Sequence, residues 1–264
     1  MARPLFGRPG RARLAAALSD RGLRLLLAFD LDGTLAPLVR RPAGAHVPPG
    51  RIDRLERAAA ATNVRLAIVS ARRMAEVRRL APVRRARRVA QHGLEGAGLA
   101  PAAFRRRARR AAARLLPGLR TLVAATPGAW LEAKGMSFAV HDRAVEAAAL
   151  PGLRASLRRF AVRAREQGFI VTRGRRVTEF LPRGVDKGRA LRALRRLAHA
   201  DVVMYFGDSP GDEPAFASLS RRDFGVRVGA GPTKAGYRVS GPRDVDRFLR
   251  AVIAARAVAT RKRR

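Results

Sequence analysis

The chain has no cysteine. That excludes disulfide stapling, thiolate catalysis and cysteine-held zinc or iron–sulfur clusters. Aromatic residues are scarce at 5%, with one tryptophan and two tyrosines, so recognition of single strands by base stacking lacks its usual platforms. No apolar run approaches the roughly 20 residues of a membrane span; the longest early one is LLLAF at 25–29. The opening MARPLFGRPGRARLAAALSDRGLR is basic, but its apolar segment LAAAL is broken at once by Ser19, Asp20 and Arg21. It reads as a ragged start and a short helix rather than an export signal, in a cytoplasmic chain. Acid is also in short supply: 20 Asp and Glu face 56 Lys and Arg, a net charge of +36, and only four of the basic residues are lysines. An arginine excess of this kind reads as coding bias on a solvated surface. A basic nucleic-acid-binding or scaffold protein remains an alternative, because binding along a phosphate backbone needs only positive charge.

What is present is a chain of 264 residues, 47% hydrophobic, able to bury one large core or two smaller ones. LRLLLAF ends abruptly at Asp30 and reads as a buried strand; a helix follows through Ile52, Leu55 and Ala59, then a strand at 64–69 closed by Ser70. A short helix carries Met74, Val77 and Leu80, and a brief strand ends at Gln91, His92 and Gly93. This order predicts a parallel sheet with its polar residues gathered at the strand ends. The texture changes after Gly96. No acidic residue occurs through Leu131, and a basic helix is predicted near 102–116 on the stripe Phe104, Ala108, Ala111 and Leu115. TLVAAT, AWLEA and MSFAVH read as strands, 151–166 as a helix, and GFIVTRGRRVTEF as a closing hairpin, which together suit a small antiparallel α+β module. After Pro182 the first texture returns: a helix over 186–199, the strand VVMYFGD, a helix near 212–219, strands FGVRV and 237–239, and a final helix over 242–257, with RKRR as a solvated tail. One α/β core is therefore predicted from residues 1–100 and 184–264, interrupted by an inserted module at 101–183.

Two carboxylate clusters carry the chemistry. Asp30 and Asp32 stand two apart at a strand end, with Gly33 to turn the chain. One can attack while the other moves a proton; alternatively the pair is an acidic turn that caps a helix through Asp32 and Thr34. Asp208 and Asp212 bracket a Ser-Pro-Gly turn after another apolar strand. They can hold a hard cation through oxygen, or simply begin a helix. At the ends of two strands of one parallel sheet the clusters can converge, and Ser70 and Lys187 then add a hydroxyl and an ammonium suited to a phosphoryl group.

DLDGT at 30–34, Ser70, Lys187 and GDSPGD at 207–212 resemble, in order, the motifs of the haloacid dehalogenase superfamily of phosphatases. The resemblance implies a Rossmann-like core with an inserted cap. It makes Asp30 the nucleophile that becomes an aspartyl phosphate and Asp32 the general acid then base, with Ser70 and Lys187 binding phosphate. It also implies magnesium held by a set drawn from Asp30, Asp32, Asp208 and Asp212. Within that superfamily, IVSARRMAEV, QHGLEG, EAKGMSFAVHDR, GRRVTEFLPRGVDKG and VGAGPTKAGYRV are similar to segments of the trehalose-6-phosphate phosphatases. This implies a small-molecule sugar-phosphate substrate; related phosphatases of sucrose 6-phosphate or a mannosyl phosphoglycerate are the alternative. No membrane partner and a monomer are expected.

By the same resemblance His92, Glu132, Lys134, Ser137, His141, Arg143 and Glu179 hold the sugar. Bland readings stand beside these. His92 also suits a structural turn, Glu132 and Lys134 a surface pair, and His141 and Arg143 the polar end of a strand, while Trp130 is either core or a sugar platform. The chain departs from the family pattern at Ala71, Ser209 and Gly211, where glycine, aspartate and threonine are usual.

Overall fold

The computed structural model describes residues 2–39, 44–96, 100–174 and 176–257; the RKRR tail lies outside them. The chain divides into two compact units, one formed by 1–99 with 186–264 and the other by 100–185.

The first unit is built on a seven-stranded sheet, parallel throughout. Its elements in chain order are β1 (Arg3–Pro4), α1 (Arg8–Ser19), β2 (Leu25–Phe29), α2 (Pro49–Ala59), β3 (Val64–Val69), α3 (Met74–Leu80) and β4 (Ala86–Val89). After the second unit come α6 (Lys187–Ala198), β9 (Val202–Gly207), α7 (Glu213–Ala217), β10 (Phe224–Val228), β11 (Tyr237–Val239) and α8 (Pro242–Arg256). The strand order is β1-β11-β10-β9-β2-β3-β4. β2 and β9 are buried at every position, as expected of central strands covered on both faces. Alternation sorts their side chains. Leu25, Leu27, Phe29, Val202, Met204 and Phe206 join the core with α1, α2, α3 and α8. Leu26, Ala28, Val203 and Tyr205 join the one with α6 and α7.

From β2 the chain runs outward to β3 and β4, and from β9 outward the other way to β10 and β11. The order therefore reverses between β2 and β9, where open α/β sheets place their ligand crevice. The two strands are in register from Leu25↔Val202 to Phe29↔Phe206, so the acidic residues that follow each emerge side by side.

The second unit comprises α4 (Ala102–Ala124), β5 (Trp130–Ala133), β6 (Phe138–His141), α5 (Leu150–Glu166), β7 (Phe169–Gly174) and β8 (Val177–Pro182). Its four strands pair antiparallel in the order β5-β6-β8-β7. Phe138, Val140, Phe169 and Phe180 pack against α4 and α5. The register places Glu132 opposite Ala139, Ala139 opposite Glu179, and Trp130 opposite His141, so these residues line the other face.

Two sequence expectations fail. TLVAAT is not a strand: α4 runs on through it to Ala124. A short apolar run cannot by itself separate strand from helix. The buried stripe Ala108, Ala112, Leu115, Leu119 and Val123 continues at spacings of three and four, so packing carries the helix past Pro117. The chain start is not ragged either. Arg3 and Pro4 pair with Tyr237 and Arg238, and Arg3 N donates to Gly236 O at 3.0 Å. A two-residue strand shows no periodicity, and the proline, which lacks an N–H, is tolerated at the sheet edge. Among the described residues no helix is long and apolar enough to cross a membrane.

Candidate active site

Asp30 continues the parity of Leu26 and Ala28, toward the face where α6 packs, and its N–H is fixed by Phe206 O at 2.8 Å. α6 begins at Lys187, N-capped by Asp186, which accepts from Arg189 N at 2.8 Å. Lys187 thereby enters from the helix start and donates to Asp30 Oδ1 and to Asp212 Oδ1, both at 2.7 Å. Asp30, Asp208 and Asp212 each offer an oxygen within 4.8 Å of the others. Residues from three distant stretches of the sequence are thus assembled at the reversal point.

The three carboxylates differ in their surroundings. Asp212 is fully buried and saturated: Oδ1 accepts from Lys187 and from the Tyr205 hydroxyl at 2.7 Å, and Oδ2 from Ser209 N at 2.9 Å and Ser209 Oγ at 2.8 Å. Four donors match the roughly four lone-pair positions of a carboxylate. Burial would raise its pKa, but Lys187 and these hydrogen bonds hold it below the ordinary range. Asp30 has only the one ammonium to offset burial, and its pKa lies well above the usual value. Asp208 is pushed up to about 6, by burial first and then by the Asp212 charge. Lys187 resists its own desolvation because Asp212 and Asp30 flank it, and its pKa is raised.

Asp208 Oδ1 is buried and meets no donor among the described residues. Such an orphaned oxygen beside another carboxylate, in an all-oxygen set of excess negative charge, fits a small hard dication. Gly33 makes the approach possible. Its φ is +77°, and a Cβ there would overlap the Asp208 carboxylate, so glycine is required on both counts.

Asp32, expected with this set, stands apart from the triad. Both of its oxygens are held by Arg72, at 2.7 Å from Nε and 2.8 Å from Nη2. Arg72 also reaches Glu76 at 3.1 Å, and its N–H donates to Ser70 Oγ at 3.1 Å. Gln91 and His92 both adopt left-handed backbone, φ +46° and +57°, a conformation that costs about 1–2 kcal/mol per residue. That turn aims Gln91 N at Arg72 O (2.9 Å) and His92 N at Ser70 O (3.0 Å). His92 is therefore a buried turn residue of the first unit, and local strain secures the loop that carries Ser70 and Arg72.

In the second unit His141 Nε2 donates to Glu132 Oε2 at 3.1 Å. Lys134 Nζ lies 3.5 Å from Glu132 and 4.0 Å from Glu179. Burial opposes ionisation of Glu132, but His141 and Lys134 outweigh it and its pKa falls. Ser137 is buried in the turn where its carbonyl accepts from Lys134 N at 2.9 Å. Arg143 sits exposed in the turn after β6, its carbonyl accepting from Arg176 at 3.2 Å.

Sequence reasoning missed Arg72 and Tyr205 as parts of the site, and read Gly33 for its turn but not for the close approach of Asp208. Tyr205 had a signal, since strand parity turns it to the Asp30 side; Arg72 had none in a chain this rich in arginine. The three departures are accommodated. Ala71 is not among the residues with positive φ, so its methyl is unstrained. Ser209 supplies two of the donors to Asp212. Gly211 would meet only ordinary van der Waals neighbours if it carried a Cβ.

Known proteins resemble this chain in sequence and fold. A family model for trehalose-phosphatase matches residues 28–243. The chain is 34% identical over 233 residues to trehalose-6-phosphate phosphatase of Escherichia coli strain K12, covering 86% of each. It is 29% identical to trehalose-phosphate phosphatase B of Arabidopsis thaliana, over 88% of this chain and 67% of that one. Its fold matches the C-terminal domain of trehalose-6-phosphate phosphatase from C. albicans with a TM-score of 0.77 at 20% identity, covering 96% of this chain and 99% of that one.

Proposed function

The chain belongs to the trehalose-phosphatase family, and from that premise we propose that it hydrolyses trehalose 6-phosphate to trehalose and inorganic phosphate by way of a phosphorylated Asp30. The observation that carries the mechanism is Lys187, seated between Asp30 and Asp212 beside the orphaned oxygen of Asp208.

Lys187 occupies Asp30 Oδ1, so the attack on phosphorus falls to Oδ2. As that O–P bond forms, the ester bond to the sugar oxygen breaks, and the leaving oxygen takes the proton of Asp32. Asp32, now a carboxylate, removes a proton from water whose oxygen attacks the phosphorus; the bond to Asp30 breaks and phosphate leaves. Splitting the hydrolysis in this way replaces one slow step by two easier ones. Lys187 spends two of its three N–H donors on Asp30 and Asp212 and has one for the phosphoryl group. Ser70 Oγ accepts from Arg72 N, which leaves its own proton for a phosphoryl oxygen.

Asp30 and Asp208 are the residues that would hold magnesium, with Asp212 fixing Lys187 and the 209–212 turn behind them. Magnesium bound there supplies positive charge against the phosphoryl oxygens. The unit at 100–185 acts as a cap, and in it Glu132, Lys134 and Glu179 recognise sugar hydroxyls, a mixture of acceptors and donors suited to a polyol. The basic surface plays no part in this reading. Arg51, Arg72 and Arg256 are buried and bonded to internal partners.

Phosphate release from a panel of trehalose, sucrose and glucose 6-phosphates, with magnesium present, tests the assignment. Preference for trehalose 6-phosphate is the expected result, and equal rates across the panel would remove that substrate. Asp30→Asn abolishes turnover if Asp30 is the attacking group; steady turnover in that variant overturns the mechanism.

A further inference from the structure

Trp130 is the only tryptophan of the chain, and it is 41% exposed. It is not a core residue. Strand parity sends Leu131 and Ala133 toward the helices of the second unit, where they pack, and leaves Trp130 on the opposite face with Glu132. One side of its ring is closed by His141, stacked at 3.9 Å between centroids with 6° between planes. His141 is fixed in turn by its bond to Glu132. The indole is therefore held by packing before any ligand arrives, which limits the entropy lost on binding.

On the same face stand two carboxylates, Glu132 and Glu179, with the Lys134 ammonium between them. An aromatic ring beside such a set matches the two-sided chemistry of a pyranose. The flat C–H face of the sugar is desolvated against the ring, and its rim of hydroxyls donates to the carboxylates and accepts from the ammonium. A planar aromatic ligand would suit the indole but would bring no rim of hydroxyls to the carboxylates and the ammonium. We propose that Trp130 is the platform on which this sheet seats one pyranose ring of the substrate. The inference rests on the trehalose 6-phosphate reading above and adds to it a residue that reading does not use.

Because the tryptophan is unique, intrinsic tryptophan emission reports this ring alone. In the full-length Asp30→Asn protein, expected not to turn over, titration with trehalose 6-phosphate is expected to change that emission saturably. In the otherwise unaltered enzyme, Trp130→Ala is expected to lower the ratio of kcat/KM for trehalose 6-phosphate over that for the sugar-free p-nitrophenyl phosphate. The drop is about three- to tenfold, the range one aromatic contact commands, and it arises through KM. Trp130→Phe, which keeps a stacking face, recovers most of it. Unchanged emission while calorimetry registers binding of the same ligand overturns the platform, as does an unchanged ratio in Trp130→Ala. Failure of the underlying reading looks different: the unaltered protein would turn over p-nitrophenyl phosphate but not trehalose 6-phosphate, and both inferences would fall.

Discussion

Arg72 grips Asp32 through two parallel bonds, Nε to Oδ2 and Nη2 to Oδ1, while its own main chain bonds the Ser70 hydroxyl and the Gln91 N–H. The carboxylate proposed to transfer the proton and the hydroxyl proposed to bind phosphate are thus set by one residue. Only a planar guanidinium can fork onto both carboxylate oxygens. Arg72→Ala is expected to lower kcat by about 10²-fold, the lower end of what acid–base assistance contributes, and Arg72→Lys to recover only part of that. Steady-state kinetics at saturating substrate decide it. A change in KM alone would mean that Arg72 serves binding rather than the orientation of Asp32.

A second expectation concerns the metal. The fold holds the protons of Asp30 and Asp208 to higher pH than the unfolded chain does. Between the ordinary carboxylate range and about 6, where Asp208 lies in the folded chain, the unfolded state therefore binds fewer protons, and stability falls as pH rises. A dication that binds the ionised pair reverses this loss. The rise in Tm caused by magnesium is expected to be larger above pH 6 than below it, and to shrink in Asp208→Asn. A shift equal at both pH values would dissociate the metal from this pair.

Arg51 joins the catalytic loop to the helical layer beneath it. Its side chain donates to Leu35 O, to Pro242 O at 2.9 Å, and to Asp246 at 2.9 and 2.6 Å. Burial raises the Asp246 pKa, but Arg51 more than offsets this and the value is lowered. For a depressed carboxylate, the stabilisation is present above its unfolded pKa of about 3.9 and is lost as pH falls through the lower folded value. Arg51→Met leaves Asp246 with Arg54 alone, so the loss falls below about 3–5 kcal/mol, the cost of a buried charge left with no partner. Urea unfolding at neutral pH should show that loss, and the acid-unfolding midpoint should move upward. Because Leu35 lies on the loop that follows Asp32, kcat should fall as well.

The parts of this molecule legible in the sequence are those where an apolar run stops on a charge. Leu25–Phe29 and Val202–Gly207 are buried along their whole length, which only a central parallel strand requires, and each delivers an aspartate to the same crevice. TLVAAT failed because its partners decide its conformation: Leu119 and Val123 are helical through the core they share with α5 and the sheet. Arg72 and Arg51 were invisible for a different reason. Burial with a particular carboxylate distinguishes a structural arginine from a solvated one, and that information exists only in the tertiary contacts.

Arg256 takes the same argument to its limit, being fully buried with no carboxylate hydrogen-bonded to it among the described residues. Its guanidinium donates to main-chain carbonyls only: Leu18 O at 3.0 Å, Ala17 O at 2.8 Å, Asp20 O, Leu23 O at 2.6 Å and Thr62 O at 3.5 Å. Three of these belong to the end of α1, whose last turn holds no basic residue of its own, so a cation from α8 completes the carbonyls that a helix terminus leaves unpaired. Desolvation lowers its pKa, yet arginine stays charged in proteins, and the carbonyl dipoles take the place of water. Arg256→Ala would leave several buried carbonyls without donors, each costing about 1–3 kcal/mol, partly relieved by water entering the gap. A drop in Tm with kcat per folded molecule unchanged is expected, because none of these carbonyls touches Asp30, Lys187 or Asp208. Lysine at this position should rescue little, since an ammonium has three donors and no fork to spread over carbonyls from three segments. Unchanged stability in Arg256→Ala would show that α1 is held by its apolar face, Leu14 and Leu18, alone.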